Sequence, residues 1–304
     1  MFSKNSIKLF FSILIISPMI MSSCSDEKKS ESDNPNKEIS ADGTDGARSK
    51  YLNVNGEYFA IPSPFQISML LKESKAPYSK NNLSTPGNLN RFSTTFLKAF
   101  NLGVYGADLG YVMMNDQSQD AIDYMASIKK LGDEIGISAA FDQTLMKRFE
   151  ENVTNTDSIL KLVSDAYQVS DDYLKNNQRN DLSAVVLTGG WIQSLYFGCK
   201  IALETQNHNL KKRVVQQKNT VESLVKLLFP HAAENEEIKE LTLMMIELSE
   251  EFNQIEVTYK YIPPTTDKQK MTTVINSETS VNFTTEKLEK ITSKIESIRN
   301  KFTS

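Results

Sequence analysis

Two stretches of this chain are apolar on nearly every side of a helix, and they limit what the chain can fold into. The first runs from Thr94 to Asn115 and the second from Leu182 to Thr205, with glycines among aromatic and aliphatic residues in both. A helix that is apolar all round is buried. Because each interior glycine costs about 1 kcal/mol relative to alanine, we expect close backbone packing to compensate. The two helices are therefore predicted to pack together at the centre of the domain.

Shorter apolar stripes at helical spacing surround this central pair. They predict helices over residues 118–135, 139–152 and 156–176, with Gly136 as the stop between the first two. An earlier helix is predicted over residues 63–75, because an N-cap serine and a proline at the first helical position open it. The fold class predicted is mainly α, a multi-helix bundle.

The C-terminal third has a different pattern, in which apolar residues alternate in steps of three and four. One such seam runs from Ile238 to Tyr259, before Pro263, and another from Leu288 to Phe302. Each predicts a long amphipathic helix. Two arrangements fit: the helices fold back on each other and on the bundle as an antiparallel pair, or they form a coiled coil with a partner chain.

Two small β-hairpins are predicted beside the helices. Asn55-Gly56 favours the positive φ angles of a tight turn, and β-forming residues flank it, so a hairpin should open the domain at residues 51–61. A second hairpin is predicted within the threonine-rich connection between the C-terminal helices, formed by residues 272–275 and 280–283.

The N-terminus has the layout of a secretory signal peptide. Lys4 and Lys8 precede the apolar run from Leu9 to Ile16. That run is shorter than the roughly 20 apolar residues of a membrane-spanning helix. We therefore expect the segment to be removed after export.

The residues at the end of this segment resemble the lipobox of bacterial lipoproteins. Small residues, Ser22 and Ser23, directly precede Cys24, while Met21 stands where the family usually has leucine. The resemblance implies that residues 1–23 are cleaved and that Cys24 receives a diacylglycerol and a further acyl chain such as palmitate. Such chains anchor a protein stably to the lipid bilayer. An ordinary signal peptide with an incidental cysteine is the alternative.

A low-complexity segment follows, and residues 25–50 lack any apolar periodicity. Such a segment buries too little surface to offset its ordering entropy, so we interpret it as a flexible tether. Asp26 and Glu27 behind Cys24 resemble the surface-export signal of Bacteroidota lipoproteins, and Ser25 differs from the aspartate associated with inner-membrane retention. We expect an outer-membrane anchor, with the domain exposed on the cell surface or facing the periplasm.

The remaining residues, 51–304, are enough for a single α-helical domain. The chain is 39% hydrophobic, and its formal net charge of −4 gives no reason to expect nucleic-acid binding. If Cys24 is acylated, Cys199 is left alone, since the chain has two cysteines. No intramolecular disulfide is then predicted, despite the export.

Catalytic and metal-binding motifs are sparse. The two histidines, His208 and His231, do not share a helix turn. His231 and Glu234 have the H-x-x-E spacing of imelysin-like helical envelope proteins, but Phe229 stands where that motif has glycine. No nucleotide-binding loop or nucleophile elbow is present. We predict no metal and no cofactor, and enzymatic activity is left open with a preference for its absence.

One charge interrupts the first central helix: Asp108 is alone in the apolar span 99–114. A buried carboxylate needs hydrogen-bond partners or a raised pKa, and either can mark a functional pocket. A ligand pocket is accordingly assigned to Tyr105, Asp108, Tyr111 and Trp191. The simpler interpretation places Asp108 in solvent or in a structural network, and Trp191 in the core.

The motif from Asn101 to Asp108 is similar to sequences in uncharacterised lipoproteins of the Bacteroidota. The likeness covers much of residues 63–205 and implies no known activity. The favoured hypothesis is an envelope-anchored lipoprotein acting as a non-enzymatic binding or scaffold module for an envelope protein. The alternative is a small-ligand receptor or enzyme with a pocket near Asp108 and Trp191.

Overall fold

The computed structural model describes residues 51–54, 57–60, 71, 77–87, 89–267, 272–274 and 278–304. The predicted signal peptide, the lipobox and the tether lie outside these residues. So does the helix predicted at 63–75, apart from Leu71, which is helical and buried.

The described residues are mainly helical, which confirms the predicted fold class. Between the helices, single 3-10 turns cover Lys80–Asn82, Leu89–Arg91, Ser138–Phe141 and Phe229–His231. The helices are α1 Thr95–Met114, α2 Ser118–Glu134, α3 Gln143–Asn152, α4 Thr156–Asn176, α5 Asn180–Thr205, α6 His208–Val215, α7 Lys218–Leu228, α8 Glu236–Asn253 and α9 Thr285–Thr303.

Side-chain caps fix where most of these helices begin. Thr94 caps α1 by accepting a hydrogen bond from the Leu97 amide at 3.1 Å, and Asp142 caps α3 in the same way. The start predicted for α3 at residue 139 is therefore wrong, since residues 138–141 form a 3-10 turn instead. Gly136 has a φ of 86° directly after α2, which confirms it as the stop.

The two apolar helices, α1 and α5, pack against each other at the centre of the fold, as predicted. A Cβ atom added at Gly103 would lie 2.0 Å from the Val186 carbonyl oxygen, and one added at Gly189 would lie 2.1 Å from that of Phe100. The glycines therefore allow the two backbones to touch. Within the described part of the chain α5 alone is long and apolar enough to span a membrane, yet 94% of that apolar window is buried inside the protein. Burial of this kind is typical of a core helix.

The helices α2, α4, α6, α7 and α9 pack around α1 and α5. The Tyr167 hydroxyl of α4 crosses Gly106 and donates a hydrogen bond to the Gly103 carbonyl at 2.9 Å. This contact uses the space that the missing side chain at Gly106 leaves. The small residues of α1 thus accommodate two neighbouring helices.

The C-terminal helices α8 and α9 form an antiparallel pair that also packs on the bundle, so the intramolecular arrangement is confirmed. The seam residues Leu241, Met245, Leu288 and Ile295 are all fully buried. Three polar contacts run along the pair in opposite chain directions, joining Lys301 to Glu240 at 2.7 Å, Lys294 to Glu247 at 3.1 Å and Lys287 to the Gln254 carbonyl at 2.6 Å.

The first seam was extended too far in the sequence prediction. Helix α8 ends at Asn253, well before Pro263, and Tyr259 belongs to a strand in which its side chain is 62% exposed. The β-forming run Val257-Thr258-Tyr259 outweighs the heptad spacing at this point.

The strands are short and pair in twos among the described residues. They are β1 Tyr51–Val54 with β2 Glu57–Ala60, β3 Glu256–Lys260 with β6 Glu278–Asn282, and β4 Thr265–Asp267 with β5 Thr272–Val274, all antiparallel. The predicted hairpin of residues 272–275 with 280–283 is wrong, because these two strands pair with β4 and β3 instead. The turn residues Asn55 and Gly56 lie outside the described residues, so the N-terminal hairpin stays a prediction.

Candidate functional site

The region around Asp108 is covered by an irregular segment that precedes α1. This segment, residues 77–87 and 89–91, is here called the strap. It lacks regular secondary structure beyond its two 3-10 turns, so its backbone amides and carbonyls need partners elsewhere. Side chains of the helices supply them.

Asp108 is fully buried, and both carboxylate oxygens have donors. Oδ2 accepts a hydrogen bond from the Ser84 amide of the strap at 3.1 Å, and Oδ1 accepts one from the Gln193 side-chain amide of α5 at 2.6 Å. The carboxylate therefore joins the strap, α1 and α5.

Arg299 of α9 extends this network towards the surface. Its Nε donates to the Gln193 side-chain carbonyl at 2.6 Å, while one Nη donates to the Ser84 hydroxyl at 3.1 Å and to the Asn82 carbonyl at 3.4 Å. The guanidinium also lies 4.7 Å from the centre of the Tyr196 ring. Gln193 is thus the bridge between a buried carboxylate and a cation.

Burial is the main influence on Asp108, and it raises the pKa of this carboxyl to about 7. The positive charge of Arg299 and the hydrogen bonds from Ser84 and Gln193 oppose the change, because they stabilise the ionised form. The carboxyl group therefore titrates near neutral pH.

Two tyrosines bind the strap beside Asp108. The Tyr105 hydroxyl donates to the Thr85 carbonyl at 2.9 Å and accepts from Arg91 at 3.3 Å, while the Tyr124 hydroxyl donates to the Ser84 carbonyl at 2.6 Å. Burial raises the pKa of both phenols above the usual value. They remain protonated donors at any physiological pH.

Tyr111 holds the beginning of the strap. Its hydroxyl accepts a hydrogen bond from the Ser79 amide at 3.0 Å, and its ring stacks on Tyr78 and Phe197 with centroid distances of 5.5 and 4.5 Å. The Tyr78 hydroxyl in turn donates to Asp120 of α2 at 2.9 Å. A stacked aromatic cluster therefore fixes this end.

Trp191 does not belong to this group of side chains. It precedes Gln193 by two residues on α5, and residues so spaced point to different sides of a helix. Its side chain is 1% exposed, and its indole N–H has no hydrogen-bond partner among the described residues. The structure thus gathers Tyr105, Asp108 and Tyr111 at the strap and buries Trp191 elsewhere in the core. The ligand pocket assigned to all four stays a prediction.

A separate apolar cavity lies on the other side of α1. Its volume is about 30 Å³, room for about two water molecules, and neither Asp108 nor Trp191 lines it. Because the walls are apolar, the cavity offers little to hold water. The lining residues are Leu102, Gly106, Leu109, Met125, Ile128, Phe141, Val163, Ala166, Tyr167, Ser170 and Val186.

Three residues of the Asp108 network were missed in the sequence: Ser84, Gln193 and Arg299. Gln193 had a detectable signal, because it is a long polar side chain in an almost wholly apolar helix, just as Asp108 is in α1. Ser84 and Arg299 lie in ordinary polar surroundings along the chain and had none.

No group of three or more His, Cys, Asp or Glu side chains that could hold a metal ion occurs in the described part of the chain. Comparison with protein-family models, with curated proteins and with solved structures finds no match to this chain. A functional hypothesis must therefore be built from the residues themselves.

Proposed function

We propose that this chain is an exported lipoprotein, held in the outer membrane by acylated Cys24, whose domain binds or scaffolds an envelope protein without catalysis. Residues 1–23 are the cleaved signal peptide and residues 24–50 the tether. The domain comprises residues 51–304, and a hairpin turning at Asn55-Gly56 opens it. The anchor is supported by the lipobox-like residues before Cys24.

The observation that carries the non-catalytic part is the way Asp108 is used. Its two carboxylate oxygens bind the strap and α5, and the residue is fully buried. A general acid or base must reach the reacting atoms directly or through one water molecule. The partners of Asp108 instead hold the fold together, which favours a structural role.

One observation favours the alternative of a small-ligand receptor or enzyme. The pKa of Asp108, raised to about 7, is suited to proton transfer at neutral pH. For this alternative the strap must move away from Asp108 when a ligand binds. Fluorescence of Trp191, the single tryptophan, gives an indirect test, because Trp191 shares α5 with Gln193 but lies outside the Asp108 network. A saturable change on adding small metabolites or polysaccharide fragments supports a ligand pocket and weakens the proposal of a scaffold for an envelope protein.

The anchor is tested by metabolic labelling with an alkyne analogue of palmitate, followed by mass determination of the N-terminal peptide. The wild-type chain should incorporate the label, and Cys24→Ala should lose it. Cys199→Ala is the matched control and should keep the label, because Cys199 is buried in α5. Equal labelling of Cys24→Ala and the wild type would refute the lipoprotein proposal.

Orientation is tested with a protease and a C-terminal tag on intact cells. Cleavage of the tag in intact cells supports exposure on the cell surface. If the tag is cleaved only after the outer membrane has been ruptured, the domain faces the periplasm. Its partner is then sought among envelope-assembly proteins. The Cys24→Ala chain, which cannot be acylated, shows how an unanchored chain behaves in the same assay.

A further inference from the structure

The β3–β6 ribbon between α8 and α9 exposes an apolar stripe. Val257 is 44% exposed and Tyr259 is 62% exposed, and both lie on one face because they are two residues apart in β3. Val281 lies opposite Val257 on the same face but is only partly exposed, because it packs against the hydrophobic core. Exposed apolar residues grouped in this way are typical of an interaction surface.

The ribbon has no third strand in the described ranges of the chain. Among the residues that the structure describes, β6 is the strand paired with β3, and the sheet has two strands. A two-stranded ribbon is only marginally stable in water, and an unpaired edge is a template for another chain. In the part of the chain that the structure describes, the outer edge of β3 around Thr258 therefore offers backbone hydrogen bonds as well as side chains.

The sequence of β3 is complementary to itself when it is read in the opposite direction. If two copies pair antiparallel about Thr258, Glu256 of each copy lies opposite Lys260 of the other, and Val257 lies opposite Tyr259. Opposite charges and aromatic–β-branched pairs stabilise adjacent strands. Every side-chain pair across this edge is thus favourable or neutral.

We propose that β3 is a homodimerisation edge, at which a second copy of this chain adds its own β3 to form a four-stranded sheet in the order β6, β3, β3, β6. The arrangement is two-fold symmetric and closes on itself, which is the commonest form of a homodimer. Lys260 lies opposite Glu278 within its own ribbon. An ammonium group has three donors, so it can bind Glu256 of the second copy in addition.

The observations favour this pairing over the other strand arrangements. Parallel pairing of two β3 strands would bring glutamate next to glutamate and lysine next to lysine, which is unfavourable. Antiparallel pairing of two β6 strands about Ser280 would place Glu278 opposite Asn282, with no opposite charges. The antiparallel β3 edge is therefore the one whose charges select a second copy.

Disulfide trapping in the full-length chain tests the proposal. Thr258 lies on the two-fold axis, so in Thr258→Cys the introduced thiols face each other at a Cα separation of about 4.5–5.5 Å, which a disulfide can span. Ser280→Cys is the matched control, because Ser280 lies opposite Thr258 on the same face of the ribbon. Its two copies would lie three strand spacings apart, about 14 Å, which is too far.

Under a mild oxidant, Thr258→Cys should run at twice the mass of one chain, and a reductant should reverse this. Ser280→Cys and the wild type should stay at the mass of one chain. Absence of the Thr258→Cys dimer would overturn the proposal, as would equal trapping at both positions. A crosslink of Thr258→Cys to a chain of another mass would also overturn it, because the occupant would then be a different protein.

Charge reversal provides an independent test that requires no cysteine. In the Glu256→Lys variant, the new lysine lies opposite neutral Asn282 within its own ribbon. In the proposed dimer it lies opposite Lys260 of the second copy, so self-association should be lost. Chains with Glu256→Lys and chains with Lys260→Glu plus Glu278→Lys, carrying different tags, should bind each other when they are coexpressed. The Glu278→Lys change keeps opposite charges at positions 260 and 278 within the ribbon. In β3 of the first chain, residues 256 and 260 are then both lysine, and in β3 of the second chain they are both glutamate. Each lysine therefore lies opposite a glutamate of the other chain. Failure of this mixed pair to form, while both variants remain folded by circular dichroism, would contradict the β3 edge.

Discussion

Gln193 donates its side-chain amide to the Asp108 carboxylate at 2.6 Å, so the two central helices share a buried polar contact. Among the described residues it is the one side-chain hydrogen bond between α1 and α5. A polar contact in such an interface fixes the register of the two helices, because another alignment would leave one buried carboxylate oxygen without its donor. Asp108 thus acts on the whole fold.

Asp108→Asn should destabilise the protein, and more at low pH than at neutral pH. The NH2 group introduced by this substitution would face one of the two N–H donors and could not accept its hydrogen bond. We expect the free energy of unfolding to fall by about 1–3 kcal/mol. In the wild type, the raised pKa means that the unfolded chain releases this proton before the folded chain does. The stability that the protonated group provides is present at low pH and falls as the pH rises from about 4 through 7.

The difference between wild type and Asp108→Asn should therefore narrow by about 2–3 kcal/mol between pH 5 and pH 7.5. Urea denaturation at the two pH values measures it, and every other titrating group cancels in the comparison. A constant difference would show that the folded-state pKa of Asp108 is close to the unfolded value.

Gly103→Ala should separate the central helices. The added Cβ atom would meet the Val186 carbonyl oxygen at 2.0 Å, and a backbone atom moves only if α5 moves with it. We expect a loss of about 3 kcal/mol in unfolding free energy, at the upper end for overpacking. Urea unfolding followed by Trp191 fluorescence measures the change.

Gly198→Ala is the matched control for this experiment. Its Cβ atom would lie 3.3 Å from a methyl group of Val214, which can shift slightly. The gain of about 1 kcal/mol in helix propensity should offset this contact. If both alanine variants unfold at the same urea concentration as the wild type, the close approach of α1 and α5 is incorrect.

The central helices could be predicted because their signal is local. A helix with apolar residues on all of its sides must be buried. Small residues among aromatic ones indicate that a neighbouring helix packs closely. The amphipathic faces of α8 and α9 are also encoded locally, in spacings of three and four, although this spacing also fits a coiled coil with a partner chain. The Thr94 cap fixes the start of α1 from a few neighbouring residues, whereas the Asp142 cap of α3 was missed and its start was placed at residue 139.

The Asp108 network could not be predicted because its members are distant in sequence. Ser84 and Gln193 are 24 and 85 positions from Asp108, and Arg299 is 106 positions from Gln193. The periodicity of apolar residues shows which face of a helix is buried. It does not show which side chain from a distant part of the chain will contact that face. The end of α8 was misplaced for a different reason, since Ile255 and Tyr259 fit a helical seam while the residues between them favour a strand.

Leu241→Ala should destabilise the C-terminal pair strongly. Leu241 is fully buried between α8 and its neighbours, so its truncation leaves a cavity and should cost about 2–5 kcal/mol. Leu243→Ala is the control on the same helix. Leu243 is 55% exposed, and its loss should change stability by less than about 1 kcal/mol. Thermal unfolding of both variants tests the assignment, and similar midpoints would place the seam on the wrong face of α8.

Tyr124→Phe should loosen the strap without disturbing the central helices. The substitution removes the hydroxyl that donates to the Ser84 carbonyl at 2.6 Å, so a buried carbonyl loses its donor at a cost of about 1–3 kcal/mol. Amide hydrogen exchange should become faster in residues 77–87 and stay unchanged in the centre of α1, because local opening involves the strap first. Tyr173→Phe serves as the control, since Tyr173 is 37% exposed on α4. Equal exchange in the strap of the two variants would show that the Tyr124 hydroxyl does not hold it.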